Sequence, residues 1–248
     1  MKRILAWITT VPFLLSFGVV LVIFDLAGRA VRPFSLRAFE YVMAALQRTL
    51  TALFLICGTR VHLERPPSIR SRTGYAIISN HQSLFDIAII GGMLFTNFPK
   101  YVAKKELGKG IPSISLNLKR GGNALIDRND RRQAIRAIRD MARAAQERNV
   151  SVVIFPEGTR SRDGELGEFK RAGSVALLRQ AESLPVVPMA IDGAWKLLRH
   201  NMMPVPFGTT VRVRFGDPVE RFADDGEAML AHAEKFIAEA LEEWRRLG

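Results

Sequence analysis

The 248-residue sequence holds a single cysteine, Cys57, which excludes an internal disulfide and any cysteine-rich zinc site. That cysteine lies in the apolar run Ala52 to Gly58, the setting of a small buried hydrophobe and not of a nucleophile. Histidine is scarce as well. Of the four, His62, His200 and His232 are isolated and read as surface or structural residues, so no metal site is expected. No internal repeat, low-complexity tract or long linker interrupts the chain, which leaves one sizeable α/β domain plus an extra element as the organisation. Acidic residues are also few, 24 against 36 Lys and Arg, for a formal net charge of +12. Such an excess favours anionic partners: nucleic acid, anionic lipid, phosphorylated substrates or an acidic carrier protein. No nucleic-acid reading motif accompanies the charge, and the apolar N-terminus weighs further against that partner.

What the sequence does have is a long apolar opening. Ile4 to Phe24 is broken only by Thr9, Thr10, Pro12, Ser16 and Gly18, close to the ~20 residues that a helix needs to cross a bilayer. Lys2 and Arg3 precede it; Asp25, Arg29, Arg32 and Arg37 follow, so the positive-inside bias mildly favours a cytoplasmic C-terminal side. A cleaved signal peptide would have an unusually long apolar core and lacks a clear Ala-x-Ala site. The second apolar segment, Phe39 to Cys57, carries Glu40, Gln47 and Arg48, as an interfacial or partly buried helix would. The expectation is a hydrophobic helical hairpin over residues 1–60 that anchors in one leaflet, with a single span as the alternative, followed by a catalytic domain over residues 61–248.

From Val61 onward, strand-like and helix-like stretches alternate. Tyr75 to Ser79, Lys100 to Ala103, Ala124 to Ile126, Val150 to Phe155, Val186 to Ile191 and Thr209 to Phe215 read as strands, which predicts an α/β fold with a mainly parallel central sheet flanked by helices. A helix is expected from Asn129 or Asp130 to about Arg148, with Arg131, Arg132, Arg136, Arg139 and Arg143 on its polar side. Those arginines fit a solvated face, or contact with anionic headgroups or an acidic acyl carrier. A last amphipathic helix, about Glu227 to Arg246, is expected to pack on the sheet.

Two polar clusters follow strand-like runs. In Ser79-Asn80-His81-Gln82-Ser83-Leu84-Phe85-Asp86 a histidine and a carboxylate stand together: the histidine can take and return a hydroxyl proton near neutrality, and the carboxylate can fix its tautomer. A spacing of five cannot share one helix face, so His81 must sit in the turn before a helix that Ser83 would cap. A capping histidine with a first-turn carboxylate is the plainer reading. The second cluster is Phe155-Pro156-Glu157-Gly158-Thr159-Arg160-Ser161-Arg162. Gly158 allows close backbone approach, Thr159 offers a hydroxyl, and Arg160 a planar fork for phosphate oxygens. Two strand ends in an open α/β sheet can line one crevice. Lys104 and Lys105, directly after a strand, are further phosphate candidates. Trp195 fits either the mouth of the site or the core.

The Asn80-His81-x4-Asp86 block and the Phe155 to Arg162 block together resemble the glycerolipid acyltransferases typified by 1-acylglycerol-3-phosphate acyltransferase. Gly121-Gly122-Asn123-Ala124-Leu125-Ile126-Asp127-Arg128 is similar to a third block of that family and Leu184 to Met189 to a fourth, in the same order; the likeness covers roughly Val61 to Phe215. It implies a glycerol-3-phosphate acyltransferase-like fold and acyl transfer from acyl-CoA or acyl carrier protein to 1-acyl-sn-glycerol-3-phosphate, with no cofactor. His81 would be the general base and Asp86 its orienter, with Glu157, Gly158, Thr159 and Arg160 binding the acceptor. Arg128 would add a cation, unless it pairs with Asp127 or Asp130. Another lysolipid or glycerol 3-phosphate could be the acceptor, and a membrane lipid-binding protein is the non-enzymatic alternative. Asn123, where the family commonly has an apolar residue, and the aromatic-poor run Leu107 to Lys119 bear on substrate identity. The setting implied is the cytoplasmic face of a bacterial inner membrane.

Overall fold

The computed structural model describes residues 2–199, 202–221 and 226–247; His200 lies outside them. Seven strands, β1 (Arg60–Glu64), β2 (Ala76–Ser79), β3 (Lys100–Lys104), β4 (Ala124–Ile126), β5 (Val152–Ile154), β6 (Val186–Asp192) and β7 (Thr210–Phe215), form one sheet in the order β1-β7-β6-β2-β5-β3-β4. Neighbours are parallel except β6 and β7. The α/β expectation holds. β1 was not anticipated: its outward, largely exposed pattern lacks the apolar run that marks the central strands, and its partner β7 lies 150 residues on, as in Arg60 opposite Thr210.

Alternate side chains of the strands feed opposite layers. Ala76, Ile78, Val152, Ile154, Val186 and Ala190 pack with helices α5 (Arg131–Glu147), α6 (Arg171–Gln180) and α7 (Gly226–Arg246). Ile77, Val153, Val187 and Met189 pack instead with Phe85 and Ile89, around α3 (Asp86–Met93), and with Phe13 and Phe54 of the N-terminal region. The C-terminal helix therefore docks on the sheet, as its apolar stripe predicts.

The N-terminal helices form a hairpin, α1 (Lys2–Val31) and α2 (Leu36–Leu53), and both are long and apolar enough, α2 with its 3-10 extension to Cys57, to cross a membrane. Ser35 caps α2, its hydroxyl accepting from the Ala38 N–H at 3.1 Å. The two helices differ in setting. α1 exposes Ile4, Trp7, Ile8, Val11, Leu15, Val19, Val22 and Leu26, a stripe at helical spacing, and turns Ala6, Thr10, Phe13, Leu21 and Gly28 inward. Along its length α1 is tied to the rest of the chain. The Val205 N–H donates to the Thr10 hydroxyl at 2.9 Å, the Ser113 N–H to Asp25 at 2.8 Å, and the Arg32 guanidinium to the Arg120 carbonyl at 3.0 Å.

α2 lies deeper, between α1 and α3, and brings Glu40 against the sheet. Its carboxylate oxygen Oε1 receives the Lys100 ammonium at 2.6 Å and the Arg148 guanidinium at 2.8 Å. Glu40 and Lys100 are both buried. Removing one partner from such a cluster leaves a buried charge without compensation, so Glu40→Ala is expected to cost about 3–5 kcal/mol. Thermal unfolding in detergent checks it; a melting temperature equal to that of the unaltered protein would show that the cluster is immaterial to stability.

Candidate active site

β2 and β5 are parallel neighbours, so the segments that follow them leave the sheet at the same edge, side by side. Asn80 closes the end of β2: its carboxamide donates to the Ile191 carbonyl and accepts from the Ile191 N–H, both at 2.8 Å, continuing the ladder toward β6 with a side chain. The chain then turns through residues 81–85 before α3.

Asp86 shapes that turn. One oxygen, Oδ2, accepts from the Gln82 N–H at 2.7 Å and the Ser83 N–H at 2.8 Å, and lies 2.8 Å from Nδ1 of His81. The helix begins at Asp86 itself and not at Leu84, and the Ser83 hydroxyl accepts the Phe85 N–H, at 3.2 Å, instead of capping the helix. Asp86 is thus no first-turn decoration; it is fully buried and reaches back to the preceding turn. With Nδ1 occupied, Nε2 is the ring nitrogen left for chemistry. The imidazole also stacks on Phe155, with centroids 4.1 Å apart and planes 14° from parallel, and its side chain keeps 16% exposure, toward a cleft.

Glu157 fixes the backbone beneath the histidine. Its carboxylate accepts the His81 N–H at 2.7 Å and the Gly167 N–H at 2.8 Å, and the residue is buried. The resemblance implies that Glu157 binds the acceptor; here each of its oxygens accepts from a backbone N–H. Burial pushes its carboxyl above the usual carboxylate range, against the opposing pull of those two N–H donors. The Ser161 N–H donates to the His81 carbonyl at 2.8 Å, and the Lys170 N–H to the Pro156 carbonyl at 2.9 Å, so the loop after β5 folds back on its own start. Gly164 in that loop, at φ 90°, packs against the edge of Trp195, which is half-buried beneath the Lys196 and Arg199 cations.

The cleft encloses about 440 Å³ beyond the carboxyl ends of β2, β5, β3 and β4, where an open α/β sheet binds ligands. Its walls are mostly apolar, including Val102, Ile126, Ile135, Ile138 and Ile154, and its cations are Lys104, Arg128, Arg131 and Lys170. Gly158 lines it at φ 64°, a backbone conformation that keeps side chains away. Of the residues expected from sequence, His81, Gly158, Lys104 and Arg128 therefore meet at one cavity. Thr159 and Arg160 are exposed on the loop and not among its lining residues. Lys105 turns to Asp127, and that contact draws the Lys105 ammonium up and the Asp127 carboxyl down from their ordinary ranges. Arg128 makes no ion pair with Asp127 or Asp130 among the described residues. Lys170 was not anticipated. It reaches the cleft only because its loop returns, and nothing in the local pattern announces the return. No cluster of histidine, cysteine and carboxylate side chains suited to a metal occurs among the described residues.

An Acyltransferase family model matches residues 60–192. A 1-acyl-sn-glycerol-3-phosphate acyltransferase from Cocos nucifera is 34% identical over 181 residues, covering 71% of this chain and 54% of the relative. One from Escherichia coli is 30% identical over 135 residues, covering 54% of each. The chain spans about half the length of these curated relatives. A crystal structure of a 1-acyl-sn-glycerophosphate acyltransferase from Thermotoga maritima superposes with a TM-score of 0.77 at 23% identity, covering 99% of this chain and 98% of that one, so the fold is shared.

The raised Glu157 carboxyl has a signature in stability. Between the ordinary carboxylate pKa and the raised one, the folded chain holds more protons than the unfolded chain, so stability falls as pH rises through that window. Glu157→Gln removes the slope and leaves a constant offset. Thermal unfolding of both proteins from the acid side of the carboxylate range to neutrality should show the variant gaining on the unaltered protein as pH rises; parallel curves would contradict the assignment.

Proposed function

This chain belongs to the acyltransferase family, and from that premise we propose that it transfers an acyl group from a thioester donor, acyl-CoA or acyl carrier protein, to the free hydroxyl of 1-acyl-sn-glycerol-3-phosphate, giving phosphatidic acid. The observation that carries this reading is the His81–Asp86 pair at 2.8 Å, its remaining nitrogen turned to an apolar cleft edged with cations. The names of the relatives support the choice of acceptor.

In this reading the acceptor hydroxyl lies against Nε2 of His81. As its oxygen attacks the thioester carbonyl, Nε2 takes the proton and Asp86 stabilises the imidazolium through Nδ1. The tetrahedral oxyanion then collapses: the carbon–sulfur bond breaks, the carbon–oxygen ester bond remains, and the imidazolium returns its proton to the departing thiolate. No covalent enzyme intermediate and no cofactor take part. The acceptor phosphate is held by Arg128 and Lys170 with the Gly158 backbone and, at the outer rim, Lys104; Arg160 and Thr159 join as the exposed loop closes over the headgroup, with Glu157 holding the loop's base.

The chain works at a membrane, with the exposed stripe of α1 sunk in one leaflet and the catalytic part on the cytoplasmic face. The ties from Thr10 to Arg32 support this monotopic seat, because a helix held laterally over about 33 Å offers lipid only one side. An anionic leaflet would suit the positive charge.

Purified protein in detergent, given labelled oleoyl-CoA or oleoyl acyl carrier protein with a panel of lysophospholipids and glycerol 3-phosphate, should form product with 1-acylglycerol 3-phosphate. Product from another acceptor alone would keep the mechanism and replace the substrate; none with either donor would leave a lipid-binding protein. His81→Ala is expected to lower the rate by about 10²–10⁴-fold, with flotation on vesicles unchanged. Retained activity would remove His81 from the mechanism. Lys170→Ala and Arg128→Ala should each raise KM for the acceptor roughly 10- to 100-fold, the range of a lost charge-assisted hydrogen bond; an unchanged KM would place the phosphate elsewhere.

A further inference from the structure

The arginines of α5 form a feature that the reaction site does not use. Arg132, Arg136, Arg139 and Arg143 are all exposed and make no ion pair among the described residues. At 100° per residue they fall within an arc of about 60°, and from first to last they extend about 17 Å along the helix. Only two acidic residues, Asp140 and Glu147, occur on α5, about 40° and 20° outside this arc. The opposite side of the helix, Ile138, Met141, Ala142 and Ala145, is buried on the sheet. The stripe starts beside the catalytic cleft, since Arg131, the first residue of α5, and Arg128 just before it line that cavity.

The bilayer is a poor candidate for what covers these arginines. α5 packs on the sheet face that carries Ile78, Val152 and Ile154, whereas α1 and its exposed apolar stripe belong to the opposite layer with Ile77 and Val153. A leaflet that receives α1 lies on the other side of the sheet from α5. Four cations held in a row on a rigid helix, in no ion pair among the described residues and facing water, instead complement an acidic helix on a soluble partner.

We propose that the α5 arginine stripe docks an acidic, acyl-loaded carrier protein, whose thioester-bearing arm then enters the cleft past Arg131. This rests on the acyl-transfer reading for the identity of the cargo, but not for the existence of the docking surface. A row of charges on the partner sets its register along α5 and points the arm at one end of the stripe, the end at the cleft. A free acyl-CoA needs only the cleft and its rim, so the two donors should separate in their dependence on the stripe.

The test uses the full chain in detergent and a fluorescently labelled palmitoyl acyl carrier protein as probe. Anisotropy should show binding that weakens as salt rises, since exposed charge pairs are screened. Arg136→Glu/Arg139→Glu should weaken it at least tenfold while palmitoyl-CoA transfer and flotation with phosphatidylglycerol vesicles stay within twofold. Arg132→Glu/Arg143→Glu serves as a second, independent pair, and the unaltered thermal unfolding of either pair excludes misfolding. Absence of carrier binding by the unmodified protein, binding indifferent to both pairs, or lost vesicle flotation with carrier binding intact would each overturn the proposal, the last assigning the stripe to lipid. If the unmodified protein transferred from neither donor, the acyl-transfer reading would fall, and the anisotropy would still decide the docking surface.

Discussion

One oxygen atom of Asp86 gathers the ring nitrogen of His81 and the amides of Gln82 and Ser83 within 2.8 Å, and the arrangement of the cleft follows from it. A buried carboxylate is tolerable only when hydrogen-bonded, and the donors at hand are those of the turn it closes. Satisfying Oδ2 therefore folds the turn, and folding the turn aims the imidazole. Glu157 repeats the device from the neighbouring strand, using its two oxygens to join the His81 amide to the Gly167 amide. Two buried carboxylates thus lock the histidine from the side chain and from the backbone, and stacking on Phe155 removes the freedom left to the ring.

Much of this was legible in the sequence, for a physical reason. Central parallel strands are buried on both faces, so β2 and β5 announce themselves as short apolar runs, and polar residues directly after them must lie at the sheet's edge. The His81–Asp86 contact is local enough for spacing alone to require a turn. What escaped depends on long-range return of the chain. Lys170 is placed by a hydrogen bond from its N–H to the Pro156 carbonyl across a loop, and β1 shows no apolar run because it is an edge strand with charged, solvent-facing side chains. Arg160 illustrates the converse: its chemistry suits a phosphate, but chemistry carries no position, and it lies outside the cleft lining.

The two sides of the sheet are chemically unlike. One layer ends in the exposed aliphatic stripe of α1, the other in the arginines of α5, and the cleft lies at the strand ends against α5 and α6, lined by Ile135, Ile138 and Gly173. The division follows from strand alternation, which sends odd and even side chains to separate layers and lets each evolve its own outer surface.

The Glu40 cluster ties these halves together in a way the change of composition near residue 60 conceals. Glu40 belongs to the hairpin, whereas Lys100 and Arg148 belong to the sheet and to the end of α5. A version trimmed of its first sixty residues would not be the same sheet minus an appendage. It would be a sheet with Lys100 stripped of its counter-charge and with Ile77, Phe85 and Ile89, which pack with Phe13 and Phe54, laid open to water. Hairpin and sheet share buried contacts and a buried charge cluster, so the break in composition near residue 60 is not a break in the packing.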